Sequence, residues 1–209
     1  MGLRKSRGES GSQADRRQNS RDLASLIDDL QASCADVRRW AARDLTNNLA
    51  ARTALLEQID IEHEPTVLEA LFSAVEGMCD EEMAGALLEK LKSEDAQVRN
   101  GAIELLQSQP VLFAAHVNEL LCDEDSDVRI FAVDVIGAIR HPDAATWLHN
   151  VVLNDNNINV VGTAVDKLSE IGDSGTLEVL EKVSARFPGE AYIQFAIQCV
   201  RDSVAGEGV

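Results

Sequence analysis

The stretch Asp127-Val128-Arg129-Ile130-Phe131-Ala132-Val133-Asp134-Val135-Ile136 decides the fold. Val128, Ala132 and Ile136 are spaced four residues apart, which puts them on one face of a helix. The triplet recurs along the chain. Its first members are Val37, Val67, Val98, Val128, Val160 and Tyr192. Its second are Ala41, Leu71, Ala102, Ala132, Ala164 and Ala196, and its third Leu45, Val75, Leu106, Ile136, Leu168 and Val200. Successive anchors lie 30, 31, 30, 32 and 32 residues apart. A fixed period of this size marks stacked helical repeats, because one such unit cannot bury its apolar face alone. The chain reads as all-α, an α-solenoid of about six two-helix repeats.

Working outward, each triplet helix (helix B) follows a shorter apolar helix A and a polar turn. Leu26, Ile27 and Leu30 mark helix A of the first unit, and Leu148, Val151 and Val152 that of the fifth. The turns Ser93-Glu94-Asp95, Asp123 to Asp127 and Asp155-Asn156-Asn157 supply side chains able to cap the free N–H groups of helix B. Pro65, Pro142 and Pro188 lie near helix starts, where a missing N–H costs little. The alanine column allows close approach of neighbouring B helices.

Bulk composition agrees. Of 209 residues, 45% are apolar and only 4% aromatic, which suits a core of Leu, Val, Ile and Ala. Residues 1–20 read as a disordered polar tail with net charge +3; the array spans 21–202, and residues 203–209 read as a frayed end. Met1-Gly2-Leu3-Arg4-Lys5-Ser6 fits the loose N-myristoylation pattern. Beyond residue 20 the chain carries 14 basic and 34 acidic residues. Such a body repels nucleic acid and anionic lipid and suits basic protein partners. No apolar run is long enough to span a membrane. Cys34, Cys79, Cys122 and Cys199 form no C-x-x-C motif and read as single buried thiols of a cytoplasmic protein.

The phrases Asp36-Val37-Arg38…Ala41…Leu45 and Asp127-Val128-Arg129…Ala132…Ile136, with a looser copy at Gln97-Val98-Arg99, resemble the short HEAT-like repeat, a kind also found in phycobilisome lyases. Leu68, Val161 and Ile193 replace the Arg in the second, fifth and sixth units. The resemblance implies a ladder of Asp and Arg between neighbouring units. It also implies that the B helices line a concave surface.

On that surface, positions two, six and nine residues after each anchor face away from the core. They give an acidic stripe of Glu69, Glu76, Glu104, Asp134 and Asp166, with Arg39 and Arg43 at one end and Ile130 as an apolar exception. Trp40 and Phe131 border it as candidate aromatic anchors. A basic or amphipathic segment of another protein fits such a stripe.

Catalytic chemistry finds no support. There is no phosphate loop and no G-x-S-x-G. His63-Glu64 is a lone His-Glu pair, too few for a HEAT-like di-iron site, and an acidic groove does not suit a DNA glycosylase. No catalytic residue, metal ligand or cofactor is assigned. The expected function is a non-enzymatic adaptor or scaffold. The alternative is a subunit of a bilin lyase or another cofactor-assembly factor.

Overall fold

The computed structural model describes residues 22–173 and 175–206, with side chains as far as residue 202. Among these the chain is helical and contains no strand. Its helices are α1 (Leu23–Asp29), α2 (Ala35–Asp44), α3 (Arg52–Ile61), α4 (Pro65–Val75), α5 (Glu81–Lys90), α6 (Ala96–Gln107), α7 (Pro110–Leu120), α8 (Ser126–Ala138), α9 (Ala144–Asn154), α10 (Ile158–Ile171), α11 (Thr176–Arg186) and α12 (Ala191–Gly206). They form six A–B pairs, as the period predicts. The expected tail over 1–20 and the Met1-Gly2 pattern lie outside the described residues. Of the end expected to fray, the backbone of α12 stays helical to Gly206.

The B helices form a continuous layer: α2 packs on α4, α4 on α6, α6 on α8, α8 on α10, and α10 on α12. The second and third triplet columns are buried in every unit. Each fully buried Leu or Ile contributes about 1.5–3 kcal/mol. Capping follows the sequence: Asp95, Asp125 and Asn157 accept from N–H groups in the first turns of α6, α8 and α10.

The anchor column departs at both ends. Val37 is half-buried, and Tyr192 is 53% exposed, with Ile193 buried in its place. No seventh B helix covers α12 among the described residues, so Tyr192 leans back over α10. The cysteines also depart from expectation: Cys34, Cys122 and Cys199 are exposed, and only Cys79 is half-buried. They sit at turns or on the uncovered side of α12, outside the core columns.

Two kinds of tether join the units. Arg38 grips Glu62 of the next unit through Nε and Nη2 at 2.7 Å each, and its Nη1 donates to the Ala32 carbonyl at 2.8 Å. Arg129 repeats this on Asp155 (2.7 and 3.3 Å) and on the Asp123 carbonyl (2.8 Å). The acceptor is thus the carboxylate five residues before the next anchor. The Asp of the Asp-Val-Arg phrase is not the acceptor; Asp36 pairs within its own helix with Arg39. Arg99 keeps only the backbone contact, to Ser93 O at 2.6 Å, while Asp123 pairs with Lys92.

Where Leu68 and Val161 replace the Arg, a cation from the next A helix reaches back. Lys90 donates to the Leu56 carbonyl at 3.4 Å and pairs with Asp60. Arg186 donates to the Val152 and Asp155 carbonyls at 2.5 and 2.8 Å. Arg186 satisfies carbonyls that the end of α9 leaves open, whereas the Leu56 carbonyl lies within α3.

Candidate functional site

A groove of about 450 Å³ opens on the B layer between α4 and α6. Phe72 of α4 lies with its ring edge over Gly101 of α6; a Cβ on Gly101 would come within 2.3 Å of that ring. Leu68, Phe72 and Leu105 give the groove an apolar floor. Glu69, Glu76 and Glu104 stand exposed around it, together with Asn100. None of the three carboxylates makes an ion pair or a side-chain hydrogen bond among the described residues. Three residues of the expected stripe therefore share one concavity with apolar surface.

The stripe does not continue evenly. Asp134 is held by Lys167 Nζ at 3.1 Å, and Asp166 accepts from Tyr192 OH at 2.6 Å. The hydrogen bond to Asp166, helped by burial, pushes the Tyr192 phenol up to about 12. Both carboxylates thereby tie one B helix to the next. The same contacts cover glycines: Lys167 carbons lie against Gly137, and the Tyr192 ring lies 2.4 Å from where a Gly162 Cβ would stand.

Ile130 and Phe131 are partly buried and pack against the core. Arg99 lies over the Phe131 ring at 5.6 Å. Trp40 is half-buried between two cations, with the Arg39 and Arg43 guanidiniums at 5.8 and 5.2 Å from its ring. Arg39 also pairs with Asp36 at 2.8 Å. Phe195, three residues after its anchor like Trp40 and Phe131, is 68% exposed on α12.

The most perturbed carboxylate lies at a unit junction, away from the groove. Burial alone would raise Glu62, which is 4% exposed; hydrogen bonds from Arg38, the Glu64 N–H and Gln58 outweigh it and hold its pKa at about 2. Gln58 in turn accepts from Gln31 at 3.1 Å.

Sequence columns on the B helices could not reveal the A side. Two grooves of about 500 Å³ each open there, between α3 and α5 and between α7 and α9. In the first, Arg52 pairs with Asp80 at 2.6 Å and Lys90 with Asp60, so its cations are already matched. In the second, Trp147 stacks on His141 at 4.5 Å, beside Asn118 and Asn150. His116 lies 3.1 Å from Glu81, and His149 shares a 2.8 Å hydrogen bond with Thr176. Among the described residues, no three His, Cys, Asp or Glu gather as a metal site would require. Among the same described residues, no helix is long and apolar enough to cross a membrane.

A family described as HEAT repeats matches residues 114–199. Two crystal structures of engineered proteins from the Northeast Structural Genomics Consortium are similar. One shares 19% identity over 88% of this chain and 96% of the other, with a TM-score of 0.38. The second shares 18% identity over 88% and 98%, with a TM-score of 0.39. No curated protein matches the chain. The chain is an all-helical α-solenoid, and the stretch that spans its last three units is similar to HEAT repeats.

Proposed function

We propose that this protein is a non-enzymatic adaptor that takes a basic or amphipathic segment of a partner protein into the α4–α6 groove. HEAT repeats generally mediate protein–protein interaction. The observation that carries the reading is the contrast in pairing. Glu69, Glu76 and Glu104 flank apolar surface without partners, whereas Asp134 and Asp166 are engaged inside the fold. Lys or Arg side chains can lay apolar stems on the floor and hold ammonium or guanidinium groups at the carboxylates. Electrostatic matching of this kind sets association rate and partner choice more than raw affinity.

The test uses a fluorescent amphipathic 14-residue peptide of Leu and Lys. Glu69→Lys with Glu104→Lys is expected to weaken its capture by about tenfold or more, equivalent to about 1.4 kcal/mol, without lowering Tm. Unchanged capture would falsify the groove reading. The bilin-lyase or cofactor-assembly alternative rests on repeat type alone; a coloured adduct on co-expression with a bilin source would favour it.

A further inference from the structure

The segment Leu3-Arg4-Lys5-Ser6-Arg7 brings together one apolar and three basic residues. The α4–α6 groove offers the complement, an apolar floor among three unpaired carboxylates. We infer that this segment docks in the groove of its own molecule and competes there with the partner segment. The inference rests on the groove reading proposed above and adds its regulation.

Reach allows it. The chain from Arg7 to Asp22, the first described residue, extends to at most about 50 Å. The groove lies past α4, and neighbouring helices pack about 8–10 Å apart, so from α1, which Asp22 caps, across α2 and α4 to α6 is about 30 Å. Arg16 and Arg17 sit only five or six residues from Asp22 and reach at most about 20 Å. The B layer of the first unit carries Arg39 and Arg43, which repel such cations. Leu3 to Arg7 is therefore the basic stretch with enough chain to pass that corner. An intramolecular ligand acts at an effective concentration of order millimolar, so even a weak contact suffices to occupy the groove.

Lys5 is the one lysine in residues 1–20, which makes the test specific. Carbodiimide couples an amine to a carboxylate in direct contact. In the dilute full chain, Lys5 is expected to couple to Glu69, Glu76 or Glu104 within one molecule, as mapped by mass spectrometry. The full chain carrying Arg4→Glu and Arg7→Glu should lose that cross-link and bind the Leu/Lys peptide about tenfold more tightly than the natural sequence. Equal peptide affinity in the two chains, with Lys5 coupled elsewhere or not at all, overturns the inference. If that peptide binding also weakens with Glu104→Lys, the groove reading survives alone. A groove cross-link in a chain that captures no peptide supports self-docking and ends the partner reading. Coupling found only between two molecules overturns docking in cis.

Discussion

The B layer around α4 and α6 and the B layer from α8 onward handle acidic residues in opposite ways. Around α4 and α6, the carboxylates Glu69, Glu76 and Glu104 are left to solvent beside a groove. From α8 onward, Lys167 holds Asp134, and Tyr192 holds Asp166. One half thus keeps its charge available while the other spends it on cohesion. A single stripe read from sequence merges two regions with different work. The two inter-unit Arg clamps differ in the same direction of detail. Arg38 meets Glu62 with two short bonds and extra support from Gln58, whereas Arg129 meets Asp155 with one short and one long bond.

The largest expected effect breaks the stronger clamp. Arg38→Ala leaves the buried Glu62 without its cation and should cost about 3–5 kcal/mol in chemical denaturation. Arg129→Ala should cost less, because Asp155 is more exposed and less tightly held. An equal or reversed order would remove that difference between the halves. The pH profile follows from the same clamp. Glu62 has a folded pKa of about 2 against an ordinary 4.5, so its contribution is full above 4.5 and is lost as pH falls through 2. Glu62→Gln should flatten the acid limb of the stability curve across that window.

Overpacking comes next. Ala132 is fully buried in α8, which packs on both α6 and α10, and Ala132→Leu should cost about 1–3 kcal/mol by thermal unfolding. A smaller effect tests the cohesive half directly. Lys167→Ala should cost under about 1 kcal/mol, since the pair is partly exposed, and should leave Asp134 free. Capture of the Leu/Lys peptide should then tighten by a few-fold; no change would confine the binding surface to α4 and α6. Smallest is Tyr192→Phe, which removes the link to Asp166. The raised phenol pKa stabilises the fold fully below pH 10, and that gain is lost as pH rises through 12; the variant should lack this alkaline loss.

The fold was legible because burial in a solenoid is periodic. Ala102 and Leu106 occupy the same environment as Ala164 and Leu168, so spacing alone locates them. The site was legible only in part. Glu69 in α4, Glu76 at its C-cap and Glu104 in α6 come from different turns, and helical phase put them on one side. Phase could not tell that Lys167, seven residues after its anchor, reaches Asp134 on the preceding B helix. Nor could it give the floor, since Leu68 sits at a column occupied by Arg in three other units. The ladder shows the same limit. Glu62 stands five residues before its anchor, in a turn outside the triplet, and its role needs the neighbouring unit to be in place.

The glycines that admit side chains from neighbouring B helices have a consequence for assembly. Gly101 receives Phe72 from the preceding unit, while Gly162 receives Tyr192 from the following one. These two junctions are therefore keyed by their own shapes and from opposite directions. The units are alike in outline but not interchangeable: transplanting one beside a new neighbour would set a ring against an occupied space or leave a socket empty. The order of repeats is written into these contacts, so the chain stacks in one register rather than as a string of equivalent modules.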